Sequence, residues 1–194
     1  MAIRITYFVH GTSTDNEKEI SSGWNDAELS ELGVKQSKEL REATKNRKFD
    51  VVFCSDLKRA ARSAKIVFEG LAPIIADRRL RECDYGIYNG KSSAIVEPLQ
   101  EKYLAEQFPE GESYEDVKTR VADFIEFLRQ NYDGNPRTQR AEQSSHDGKH
   151  VAIVSHKAPQ LALDVLLRGK TWEHAFAEDW RKKWAWQAGW EYTL

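Results

Sequence analysis

The chain has 194 residues, enough for one domain with a substantial buried core. Its 29 basic and 31 acidic residues nearly cancel, and a net charge of −2 excludes a surface built mainly for nucleic acid or anionic lipid. Two cysteines, Cys54 and Cys83, are too few for a disulfide scaffold, and no CxxC or Cys/His cluster marks a zinc site. Met1 leads directly into a short apolar run, with no long hydrophobic stretch and no small-residue cleavage site. We therefore expect no signal peptide, no membrane span and a cytoplasmic location.

Ile3–Val9 is β-branched and aromatic and short enough for a buried strand. Ser30 then opens a helix to Asn46, with Leu32 and Leu40 among its apolar positions. Asp50–Cys54 is the next strand, and Ser55 is placed to cap a helix running through Phe68 to Gly70. Pro73–Ala76 reads as a third strand. Ser113 and Asp116 form a capping box ahead of the stripe Val117, Val121, Phe124, Ile125 and Leu128. The polar stretch Asp133–His150 is a surface loop. Val151–Ser155 is a buried strand, followed by a helix that ends near Gly169. Five of six tryptophans fall between Trp172 and Trp190, where core packing and an edge strand over Trp190–Leu194 account for them. The two cysteines read as packing residues.

This alternation predicts an α/β fold over residues 1–194 as one domain, a three-layer α/β/α arrangement around a mostly parallel sheet. Such sheets bind ligands at the carboxyl ends of their strands. That rim would receive His10-Gly11 with Thr12, Ser13 and Asn16, then Ser55-Asp56 with Arg59 and Arg62, and then His156-Lys157. Two histidines with several cations suit phosphoryl transfer. A neutral imidazole attacks phosphorus, and arginine forks hold the phosphoryl oxygens. A carboxylic acid protonates the departing oxygen, so neither metal nor cofactor is needed.

The order of motifs resembles the histidine phosphatase superfamily, the phosphoglycerate-mutase-like fold. Its opening Arg-His-Gly stands here as Val9-His10-Gly11, with Asn16 at the family's offset. Ser22-Gly23-Trp24, Leu29 to Gly33, Ser55 to Ala60, Leu80-Arg81-Glu82 with Tyr85-Gly86, Gly111-Glu112-Ser113 and Val154-Ser155-His156 follow in order. The resemblance implies His10 as nucleophile and Glu82 as general acid, then base for water. It implies Arg59 and His156 as phosphoryl contacts, with Gly11, Ser13 and Asn16 at the edge. It also implies activity that falls at high pH as Glu82 ionises and at low pH as His10 is protonated.

Val9 stands where the family has its first arginine, and valine offers no polar replacement. Lys157 and Arg62 are the neighbouring cations placed to compensate, Lys157 foremost. Mutases of the family carry a longer insertion and usually Gly-Asn after the second histidine. Lys157-Ala158 stands there in this chain, so the expected activity is hydrolysis of a small phosphorylated metabolite. The alternatives are a weak or inactive member that binds a phosphorylated ligand, and a mutase. The pocket walls are expected to include Glu112–Ser113 and the stretch from Gly86 to Gln107, with Tyr88, Asn89, Lys91 and Tyr103.

Overall fold

A computed structural model of the chain describes residues 2–132, 148–179 and 189–194. Strand β1 (Arg4–Val9) leads to a short strand β2 (Ile20–Ser21), helix α1 (Glu31–Thr44), strand β3 (Val51–Cys54) and helix α2 (Lys58–Phe68). Strand β4 (Ile74–Ala76), strand β5 (Lys91–Ser92), helix α3 (Ser93–Gln100) and helix α4 (Tyr114–Tyr132) follow. Strand β6 (His150–Ser155), helices α5 (Lys157–Arg168) and α6 (Trp172–Ala177), and strand β7 (Trp190–Thr193) complete the order.

Among the described residues the main sheet has five strands in the order β4-β3-β6-β1-β7, parallel except for β7 at the edge. Side chains alternate along the strands, so β1, β3 and β6 each feed two cores. Ile5 and Tyr7 of β1, Val51 and Phe53 of β3, and Val151 and Ile153 of β6 pack with α4, α5 and α6 residues on one face. Phe8, Val52, Cys54, Ala152 and Val154 pack on the other with Leu40 of α1 and Ala64, Val67 and Phe68 of α2. The result is the expected three-layer α/β/α arrangement. Cys54 and Cys83 are both buried, and burial pushes both thiols up, Cys54 to about 12. No helix among the described residues is long and apolar enough to cross a membrane.

Several local expectations change. Ser30 caps α1 by accepting from the Gly33 N–H, but Leu32 is 47% exposed, and the helix buries Gly33, Ser37, Leu40 and Thr44 instead. Ser55 does not cap α2. The helix starts at Lys58, whose N–H is taken by Asp26 from a distant loop, while Ser55 Oγ accepts from Leu57. The Ser113–Asp116 capping box is present in both directions. His150 belongs to β6 rather than to the preceding loop. Residues 133–147 of that loop, and Trp180, Trp184 and Trp186, lie outside the described residues.

Candidate active site

β1 and β6 are parallel neighbours in register, with Val9 opposite Ser155. The ladder continues one residue further, His10 N–H donating to Ser155 O at 3.0 Å. The next residue on each strand is a histidine, so the two imidazoles stand side by side, centroids 5.0 Å apart and planes at 64°. Tyr7 fixes the second of them. Its hydroxyl donates to His156 O at 2.6 Å and accepts from His156 N–H at 3.1 Å.

His10 Nδ1 lies 2.6 Å from Gly11 O and donates to it, which places the ring's remaining lone pair on Nε2. The loop that carries it is packed too closely for side chains. A Cβ on Gly11 would stand 2.4 Å from Gly33 O, and one on Gly33 would stand 2.0 Å from Thr12 O. Gly11 N–H is held by Ser63 of α2 at 3.0 Å. The His-Gly pair and the glycine of the Leu-Ser-Glu-Leu-Gly stretch are thus two sides of one contact.

Arg59, in the first turn of α2, is 3% exposed and donates to Gly23 O and Asn25 O at 2.7 and 2.9 Å. Burial pulls both histidines below their ordinary value and Arg59 adds to the effect, bringing His10 to about 3 and His156 well below 6.5. His156 is fully buried, and neither of its ring nitrogens has a hydrogen-bond partner among the described residues.

Glu82 reaches the start of α5. Its carboxylate accepts from the N–H groups of Cys83 at 2.8 Å, Ala158 at 3.0 Å and Lys157 at 3.2 Å. A carboxyl group has about four acceptor positions, so one remains for a proton. Lys157 is buried, its ammonium on Asp179 at 3.0 Å and Gln100 at 2.8 Å, over the Phe176 ring.

His10, Asn16, Arg59, Glu82 and Lys157 all line one cavity of about 710 Å³. Ser13 is buried beneath it and paired reciprocally with Asn16, and Gly11 is buried behind His10. Arg62 is not among the lining residues. It faces outward, exposed, towards Glu28 at 3.5 Å. The wall also differs from expectation. Of the 86–107 stretch, Ser93, Ala94, Glu97, Gln100 and Glu101 line the cavity, whereas Tyr88, Asn89, Lys91 and Tyr103 do not. Glu112 and Ser113 are not in the wall either, because Glu112 is turned to Arg120 and Ser113 caps α4. Tyr7, Gln100, Arg120 and Asp179 went unremarked in the sequence, where each looks like an ordinary aromatic or surface residue, and Trp24 stood out only as part of the Ser22-Gly23-Trp24 motif.

The lowered histidines predict an acid-labile fold. Their folded-state values lie below the unfolded one, so the stability they contribute is complete above about pH 6.5 and is lost as pH falls towards the folded values. For His10 this is about 1–2 kcal/mol at pH 5, or a Tm lower by roughly 2–4 °C per kcal/mol in a chain of this size. Thermal melts at pH 7 and pH 5 check it. Wild type drops, His10→Ala drops less, and equal drops would contradict the assignment.

A three-layer α/β/α chain with paired histidines at the carboxyl rim of a parallel sheet falls in the phosphoglycerate-mutase-like class of folds. The chain belongs to the histidine phosphatase superfamily, branch 1, whose family model matches residues 7–182. It is 31% identical over 180 residues to the 2,3-bisphosphoglycerate-dependent phosphoglycerate mutase of Methylobacterium sp. (strain 4-46), covering 84% of this chain and 80% of that protein. It is 28% identical over 179 residues to phosphoserine phosphatase 1 of Hydrogenobacter thermophilus, covering 86% and 77%. The solved structure of mycobacterial glucosyl-3-phosphoglycerate phosphatase with VO3 matches at a TM-score of 0.73 and 26% identity, over 90% of this chain and 86% of that one.

Proposed function

We propose that the chain is a phosphomonoester hydrolase acting on a small phosphorylated metabolite through a phosphohistidine on His10. The observation that carries the reading is the His10 ring, held neutral, oriented through Nδ1 on Gly11 O, and set beside His156 and a buried arginine. His10 Nε2 attacks phosphorus, the P–O ester bond breaks, and the proton on Glu82 goes to the leaving oxygen. Glu82 then takes a proton from water, whose oxygen displaces His10 from phosphorus and releases inorganic phosphate. Arg59 balances charge on the phosphoryl oxygens, and the neutral His156 ring beside His10 offers an N–H donor to one of them.

Hydrolysis fits the cavity better than a mutase reaction, which must also hold the rest of a strongly anionic phosphoglycerate. Among the described lining residues the cations are Arg59 and Lys157, the latter bonded to Asp179, and the outer wall carries Glu19, Glu97 and Glu101. A second reading, a weak member that binds a phosphorylated ligand, rests on one observation: Val9 in place of the family's arginine.

Phosphate release from p-nitrophenyl phosphate in the presence of a chelator tests the proposal. Turnover unaffected by chelator is expected, and its absence across a panel of phosphomonoesters favours the binding reading. We further propose that Lys157 partly fills the place of the missing arginine. Lys157→Ala is then expected to lower kcat/KM at least about tenfold, as loss of a charged phosphoryl contact does. An unchanged rate removes Lys157 from the phosphoryl site.

A further inference from the structure

Glu82 sits on irregular chain after a single 3-10 turn at Arg78–Leu80, so no helix or strand ladder fixes its backbone. Buried backbone groups in such a segment need partners from elsewhere. Arg120 of α4 supplies them. Its guanidinium donates to Arg79 O at 2.7 Å and to Glu82 O at 2.9 Å, and forks onto the Glu112 carboxylate at 2.9 and 3.0 Å. Glu112 in turn accepts from Asp84 N–H at 3.1 Å, and its own N–H donates to Asp84 O at 2.9 Å. The pair therefore grips the segment on both sides of Glu82. Trp24 Nε1 donates to the same Glu82 carbonyl at 2.7 Å. Neither Arg120 nor Glu112 lines the cavity.

We infer that Arg120, braced by Glu112, is a positioning residue for the general acid, holding Glu82 at the start of α5 through its backbone. The inference rests on the proposed role of Glu82 as proton donor. The grip is geometric: four hydrogen bonds from one rigid fork, which a lysine at 120 cannot reproduce. A displacement of about 1 Å at a reacting group can cost roughly 10²-fold in rate.

A general acid matters most when the leaving group is poor, and this supplies a readout that loss of stability alone would not move. The experiment compares wild type, Arg120→Lys and Glu112→Gln on p-nitrophenyl phosphate and on glycerol phosphate. Arg120→Lys is expected to lower kcat about tenfold on the nitrophenyl ester and about 10²-fold on the alkyl ester, with KM within twofold. Glu112→Gln keeps the shape of the pair and is expected to show the same bias at smaller size. In a Glu82→Gln background, Arg120→Lys is expected to change kcat less than twofold, because the group it acts through is gone. Equal losses on the two esters, or a full tenfold loss in the Glu82→Gln background, would overturn the inference. Wild type without turnover on these esters and across a panel of phosphomonoesters would instead overturn the hydrolase reading itself.

Discussion

His10→Ala is expected to abolish hydrolysis of p-nitrophenyl phosphate, a loss of roughly 10⁴-fold or more, because no other group among the described residues is placed to take over the attack. The neighbouring His156 has its ring centroid 5.0 Å from that of His10, but it is fully buried, and its backbone is pinned by Tyr7. The variant has a direct physical companion: the covalent phosphoenzyme. A P–N bond to histidine survives alkali and breaks in acid, so a base quench of wild type during turnover yields a phosphohistidine signal by phosphorus NMR. His10→Ala yields none. Because burial brings His10 to about 3, the imidazole stays neutral throughout the mildly acidic range. The acid limb of kcat/KM then lies well below the 6.5 of an ordinary histidine. Retention of activity within tenfold in His10→Ala, or a signal that persists without His10, would remove this residue from the chemistry.

Much of the fold was legible because its signals are local. Strands β1, β3 and β6 are short apolar runs, and the stripe on α4 repeats at helical spacing. The paired histidines follow from topology, since a residue just past each of two parallel strands must reach one rim. What was not legible depends on angle and on distant contacts. Arg59 and Arg62 sit one turn apart, yet Arg59, Ala60, Ser63, Ala64, Val67 and Phe68 define the buried arc of α2. At about 100° per residue, Arg62 falls about 60° outside that arc and turns to solvent. The Asp26 cap on α2 and the Arg120 grip on the Glu82 segment join residues 32 and 38 positions apart, which no periodicity encodes. Glu112 was expected in the pocket wall, but its carboxylate is used on Arg120 and Asp84.

Arg59→Lys is the second large effect, and it should act in two places at once. The guanidinium has five N–H donors, and two of them are used on Gly23 O and Asn25 O. Arg59 also lines the cavity with His10 and Glu82, where a phosphoryl group would need charge and fixed donors together. A lysine keeps one positive charge and loses the fork, so kcat/KM should fall by about 10²–10³-fold, the cost of a preorganised donor to developing charge. Inhibition by inorganic phosphate should weaken at least about tenfold in parallel, since the same fork binds the product. The two carbonyls flank Trp24, whose indole N–H holds the Glu82 carbonyl, so loosening Arg59 also loosens the general acid. That indirect part predicts a steeper loss on alkyl than on nitrophenyl esters. A variant that binds phosphate as wild type does, yet shows the steeper alkyl loss, would assign Arg59 to holding Trp24 and Glu82 alone. One that loses phosphate binding with equal losses on both esters would assign it to the phosphoryl group alone.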